Sequence, residues 1–89
     1  MKISKEKRDK ISEQILNYLF TLNFKPAFTS AIAKEIARDE EFTKNILKDL
    51  LKKGLVSEIK KNKEGISYLK RSRWIISKSA YTIYKKYQN

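Results

Sequence analysis

The chain has 89 residues, enough for one domain, which we place over residues 1 to 89, with a single modest core. Its 21 Lys and Arg against 10 Asp and Glu give a net charge of +11, which is typical of a protein with a polyanionic partner. It contains no cysteine and no histidine, which excludes a disulfide framework, a thiolate metal site and the commonest general base. We therefore expect no enzyme activity, no cofactor and no metal. A lysine-rich surface without a target is the alternative explanation of the charge. Surfaces of that kind are enriched in both Lys and Glu, whereas Glu is much rarer than Lys in this chain.

The first predicted helix covers residues 4 to 23. Its apolar side chains form one broad stripe: Ile11, Ile15, Leu16, Tyr18, Leu19, Phe20 and Leu22. Two explanations of this breadth remain open, since the helix either packs beneath both later helices or turns part of the stripe toward a second subunit. The basic N-terminus lacks the continuous apolar run of a signal peptide or membrane span, so we expect an intracellular, cytoplasmic protein that does not enter a membrane.

Residues 23 to 28 interrupt the helical period, and Pro26 favours an extended chain before it. We expect Phe24 and Phe28 to be buried here, because isolated phenylalanines between elements usually are. The second helix is predicted to start at Thr29, with the threonine hydroxyl as its N-terminal cap. Its narrow apolar stripe comprises Ile32, Ala33 and Ile36.

The third helix shows the clearest amphipathic pattern. One half of its helical wheel is apolar: Phe42, Ile46, Leu47, Leu50 and Leu51. The other half carries Lys44, Asn45, Lys48 and Lys52. Gly54 stands where a left-handed C-terminal cap is needed, so the helix is predicted to end there.

A β-hairpin is predicted after Gly54, with strands at residues 55 to 61 and 66 to 70 around an Asn/Gly-containing turn. Six basic residues cluster on it: Lys60, Lys61, Lys63, Lys70, Arg71 and Arg73. A turn at residues 64 and 65 pairs Ile59 with the region of Lys70, which leaves residues 74 to 76 as an extension or a separate strand. Trp74 is expected in the core, although an exposed tryptophan could stack on a base.

A last helix is predicted from a Ser77 cap to about residue 88. One of its faces carries Ala80, Ile83, Tyr84 and Tyr87. Two tyrosines on an apolar face favour a dimer interface, and docking on the first helix of the same chain is the alternative. We expect this helix to be the dimerisation element of a homodimer with two-fold symmetry.

The pattern resembles the winged helix-turn-helix family of small DNA-binding proteins, especially its short archaeal and archaeal-virus members. The resemblance rests on residues 32 to 36, on Leu47, Leu50 and Gly54 to Val56, and on residues 74 to 80. It implies a mainly α fold with a small β-hairpin (α+β), ordered helix, short strand, two helices, two strands and a last helix. It also implies a transcriptional regulator that binds double-stranded DNA, at the nucleoid or, for a viral protein, in the host cytoplasm.

In this reading the third helix enters the major groove, with Lys44, Asn45 and Lys48 nearest the DNA and Lys52 nearer a phosphate. Asn45 is the expected base contact, because asparagine can bond adenine through two hydrogen bonds. The six basic residues of the hairpin, the wing of the family, are expected to contact the backbone or the minor groove.

Three acids at the start of the third helix, Asp39, Glu40 and Glu41, oppose simple insertion into the groove. Either they point away from the DNA, or one accepts a hydrogen bond from a cytosine amino group, or this helix faces a protein. The alternative functions are accordingly a protein-docking module of a transcription or replication complex, or RNA or single-strand binding with exposed aromatic side chains.

Overall fold

The computed structural model describes residues 4–59 and 72–87. The elements are α1 (Lys5–Thr21), β1 (Ala27–Phe28), α2 (Thr29–Ile36), α3 (Glu40–Lys52), β2 (Val56–Ile59), β3 (Arg73–Ile76) and α4 (Lys78–Tyr87). This order and the mainly α architecture confirm the predicted fold class. None of the helices in the described part of the chain is long and apolar enough to cross a membrane.

The three strands form one antiparallel sheet in the order β1-β3-β2. Val56 pairs with Ile76 and Ile59 pairs with Arg73, while Ala27 of β1 pairs with Trp74. The predicted partner of Ile59, the Lys70 region, was therefore wrong, and residues 74 to 76 belong to the returning strand of the hairpin itself. This register places Trp74 and Ile76 on the core face together, because alternate residues of a strand share a face.

The core lies between this sheet and the first three helices. Its fully enclosed side chains include Ile15, Leu19, Ile32, Ile46, Leu47, Val56, Trp74 and Ile76, each at most 2 % exposed. All but one of these are aliphatic, and they come from α1, α2, α3, β2 and β3. Four residues of the α1 stripe are thus core: Ile11, Ile15, Leu16 and Leu19.

Thr29 does not cap α2, contrary to the prediction. The N-cap residue is Phe28, which makes no side-chain capping bond. The Thr29 hydroxyl instead accepts a hydrogen bond from Trp74 Nε1 at 2.8 Å and donates to the Ser72 carbonyl at 3.5 Å. The buried indole N–H needs an acceptor, and Thr29 supplies it from a position 45 residues away in the chain.

Phe24 and Phe28 are not buried as expected, since they are 36 % and 37 % exposed. Phe28 lies opposite Arg73 and neighbours the buried Ala27, so the alternation of strand faces turns its side chain outward. Phe24 has a left-handed backbone, with φ of 68°. It packs beside Tyr81, with 4.7 Å between the ring centroids.

The helix α4 docks on α1 of the same chain. Phe20 lies 5.0 Å from Tyr81 and 5.7 Å from Tyr84 between ring centroids, and Ala80 is buried in the core. The Ser77 hydroxyl accepts from the Ala80 N–H at 3.2 Å, which confirms the predicted cap. The flank of α1 left open by the sequence, at Phe20, is therefore occupied by the chain's own last helix.

Candidate nucleic-acid interface

The exposed side of α3 is formed by the four residues expected to face DNA: Lys44, Asn45, Lys48 and Lys52. Lys44, Lys48 and Lys52 follow each other at four-residue intervals and Asn45 lies three residues before Lys48, so the four form one continuous stripe along the helix. The opposite side is held in the core by Ile46, Leu47 and Leu50, which are at most 2 % exposed. The helix thus presents three cations and one amide on a face whose orientation is fixed by packing.

The start of α3 is built by Ala37 and Asp39. Ala37 has a left-handed backbone, with φ of 56°, and turns the chain out of α2. Asp39 Oδ1 accepts the Phe42 N–H at 2.7 Å and caps α3. Of the three acids at this corner, Asp39 therefore has a structural function.

Two further residues at this corner were not assigned a site function from sequence. The guanidinium of Arg38 lies 5.8 Å from the centre of the Phe42 ring, within the range of a cation–π contact. Thr43 is fully buried, and its hydroxyl donates to the Asp39 carbonyl at 2.8 Å. The four-residue spacing of Arg38 and Phe42 was a readable signal for the first contact.

The end of α3 matches its predicted cap. Gly54 has φ of +75°, and the Leu55 N–H donates to the Leu50 carbonyl at 3.0 Å. Lys53 forms a 3.2 Å ion pair with Asp49, one turn earlier in the chain. Lys53 is thus paired within the helix, and the stripe ends at Lys52.

The hairpin is described only at its base. Lys60, Lys61, Lys63, Lys70 and Arg71 lie outside the described residues. Arg73 lies in β3, between Phe28 of β1 and Ile59 of β2, in one row on the outer face of the sheet. Its side chain is half-buried, so of the six basic residues proposed for the wing this one belongs to the sheet.

A polar cavity of about 370 Å³ separates the start of α3 from the start of α2 and β3. Glu40, Glu41 and Lys44 line it from α3, while Ser30 and Ser72 line the other side. Since α3, α2 and the hairpin base all border it, the three elements present a single surface to one side of the molecule.

The structure buries Trp74 and some of the predicted dimer residues, and it leaves the other dimer residues exposed. Trp74 is 0 % exposed, so it cannot stack on a base. On α4, Ala80 is buried and Tyr84 packs on α1, but Ile83 and Tyr87 are 51 % and 81 % exposed. Two of the four predicted interface side chains are therefore used within the chain and two are accessible.

Two helices joined by a tight corner, followed by a sheet whose strands β2 and β3 form a hairpin, define a winged helix-turn-helix fold. Solved structures with the same fold include MepR of Staphylococcus aureus, a transcription regulator of the multidrug efflux pump MepA, at 18 % identity and a TM-score of 0.69 over 88 % of this chain. ZitR of Lactococcus lactis matches 93 % of the chain at 17 % identity and a TM-score of 0.71. A MepR–DNA complex matches 93 % at 18 % identity and a TM-score of 0.70.

The chain spans 53 % of MepR, 58 % of ZitR and 65 % of the MepR molecule in the DNA complex. No protein-family model and no curated protein matches it by sequence. At these identities the similarity establishes the winged-helix fold.

Proposed function

We propose that the chain is a transcriptional regulator that binds double-stranded DNA, with α3 in the major groove and the basic hairpin on an adjacent backbone or minor groove. The observation that carries this proposal is the exposed stripe of Lys44, Asn45, Lys48 and Lys52 on the second helix of a winged helix-turn-helix. The solved complex of MepR with DNA supports it as a precedent for the fold.

Charge and geometry assign different tasks to the stripe. Lys44, Lys48 and Lys52 offer ammonium groups to phosphates, an interaction that releases counterions and does not depend on sequence. Asn45 offers both a donor and an acceptor, which suits the N6 and N7 edge of adenine. We therefore expect Asn45 to contribute to site preference and the lysines to overall affinity.

The proposal is tested by fluorescence anisotropy with a labelled random duplex, over a salt series from about 50 to 200 mM. We expect affinity to fall steeply with salt, and unlabelled single strands to compete poorly. Lys48→Ala should weaken binding to all duplexes about equally and reduce the slope of log K against log salt by about 0.9. Asn45→Ala should instead reduce discrimination between a selected site and random duplex.

Lys10→Ala on α1 is the matched control, because Lys10 is also an exposed helical lysine but lies outside the stripe. It should leave the slope closer to that of the wild type than Lys48→Ala does. If the two lysine substitutions changed the salt slope equally, α3 would contribute to DNA binding only through the net charge of the protein. An absence of duplex binding at 50 mM salt would overturn the proposal.

We further propose that the protein acts as a homodimer inside the cell, at the nucleoid or, for a viral protein, in the host cytoplasm, through the accessible side chains of α4. Ile83 and Tyr87 are one helical turn apart and both exposed, so together they offer an apolar contact area. Ile83→Lys should shift the mass measured by light scattering toward the monomer. Lys78→Ala at the start of α4 is the control, and an unchanged mass in the Ile83 variant would exclude this interface.

A further inference from the structure

The acids at the start of α3 differ in how the structure uses them. Asp39 is committed to the helix cap through its bond with the Phe42 N–H. Glu40 and Glu41 are both exposed in the first turn, one residue apart. Their positions on the helix separate them, because consecutive helical residues point about 100° apart.

Glu41 shares the face of the proposed DNA-binding stripe. It precedes Asn45 by about one turn and Lys48 by about two turns, so the three side chains follow each other on one side. Leu50, which is 2 % exposed, lies about two and a half turns from Glu41 and thus on the opposite side. Glu41 is therefore the outermost side chain of the first turn.

Glu40 lies at the edge of this stripe. It precedes Thr43 by about one turn and Leu47 by about two turns, and both of these residues are 0 % exposed, but it also precedes Lys44 of the stripe by about one turn. At about 100° per residue, Glu41 falls near the middle of the stripe, between Lys48 and Lys52, whereas Glu40 falls between Lys44 and the buried row. The two glutamates thus carry the same charge in the same turn, but Glu41 faces the proposed DNA more centrally.

A carboxylate on the groove-facing side selects among bases by what it repels as well as by what it binds. The major-groove edges of guanine and thymine present acceptors, which an ionised carboxylate cannot donate to. Adenine presents the N6 amino donor beside the N7 acceptor, which repels a carboxylate, whereas cytosine presents the N4 amino donor with no acceptor next to it. The recognition helix of a helix-turn-helix contacts base edges with its N-terminal residues, which is where Glu41 lies.

We propose that Glu41 is a specificity-determining residue that accepts a hydrogen bond from the N4 amino group of a cytosine in the DNA site. This inference rests on the proposed function, because it requires α3 to lie in the major groove. The same carboxylate should lower the affinity for sites that lack the cytosine, because there it faces hydrogen-bond acceptors and phosphates.

The test selects preferred sites from a random duplex library with the wild type, Glu41→Gln and Glu40→Gln. Both substitutions remove one negative charge, so both should strengthen binding to random duplex. Only Glu41→Gln should weaken the cytosine preference at one position, or replace it by adenine, because the neutral amide oxygen accepts from N4 more weakly than a carboxylate and glutamine can bond adenine. Circular dichroism of all three proteins is the control, and it should show that the substitutions leave the helices folded.

A second measurement avoids substitutions in the protein. In the selected duplex the cytosine is replaced by N4-methylcytosine, whose methyl group takes the place of the amino hydrogen in the major groove. The affinity of the wild type should fall about fivefold or more, while that of Glu41→Gln should fall less, because its neutral amide oxygen bonds N4 more weakly.

An unchanged cytosine preference in Glu41→Gln, or an equal loss in both variants, would overturn the assignment of Glu41 while leaving duplex binding intact. An absence of duplex binding by the wild type would overturn the proposed function itself, and the assignment with it. The two failures are therefore distinguished by the wild-type measurement alone.

Discussion

Replacing Thr29 by valine should destabilise the protein by removing one hydroxyl. Trp74 Nε1 donates to this hydroxyl at 2.8 Å, and the indole is 0 % exposed, so no water can replace the acceptor. Valine has nearly the same shape as threonine, so no cavity adds to the cost. The hydroxyl's own bond to the Ser72 carbonyl, at 3.5 Å, is at the outer limit and contributes little.

The expected cost is that of a buried donor left without a partner, about 1–3 kcal/mol. With a urea m-value of about 1 kcal/mol/M for a domain of this size, the midpoint should fall by roughly 1–3 M. The measurement is urea unfolding followed by circular dichroism.

A double-mutant cycle with Trp74→Phe isolates the hydrogen bond. Phenylalanine has no N–H, so Thr29→Val should cost much less in the Trp74→Phe background, with a coupling of about 1 kcal/mol or more. A coupling close to zero would refute the reasoning, because it would mean that the indole N–H finds no stabilisation in this contact.

Three other substitutions test the ends of α3 and the aromatic cluster of α4. Asp39→Ala should lower the free energy of unfolding by about 0.5–2 kcal/mol, because it removes the cap on the Phe42 N–H. Asp39→Asn should retain most of the stability, because asparagine also caps helices, and equal losses of stability for the two variants in thermal unfolding would exclude the cap as the cause. Gly54→Ala should cost roughly 1–2 kcal/mol in urea unfolding, because its φ of +75° is unfavourable for a residue with a Cβ. The added Cβ would meet no atom within 4 Å, so the whole cost would come from the backbone, and an unchanged midpoint would contradict this argument. Burial, and then the charge of Glu13, raises the pKa of Tyr84 above its ordinary 10.0. The folded state thus holds this proton more tightly, so the free energy of unfolding should fall as the pH rises through 10 and above; Tyr84→Phe should reduce this loss, and identical pH profiles would contradict it.

The helices and the hairpin could be predicted because each depends on a local pattern. The stripes of α1 and α3, the Ser77 cap and the left-handed Gly54 all involve residues within about three turns of one another, so the order of elements follows from the sequence. The exposed face of α3 could be predicted for the same reason, as the complement of its buried stripe.

The features that could not be predicted depend on residues distant in the chain. From the local sequence the hydroxyl of Thr29 fits a helix cap. In the fold it instead accepts the indole N–H of Trp74, which lies 45 residues later in the chain. Phe28 was expected to be buried because isolated phenylalanines between elements usually are, but pairing with Arg73 turns it outward. The face of α4 was assigned to a partner because the sequence does not show that Phe20 would meet Tyr81 and Tyr84 first.

Leu55 joins the two helices that the proposed function uses. Its N–H donates to the Leu50 carbonyl at the end of α3, and its carbonyl accepts the Ser77 N–H, at the start of α4, at 3.0 Å in both cases. These backbone hydrogen bonds restrict how far α3 and α4 can move relative to each other. In the proposed dimer, the pairing of α4 would therefore set the distance between the two copies of α3, and DNA with its half-sites at another spacing would be disfavoured even when every base contact is correct.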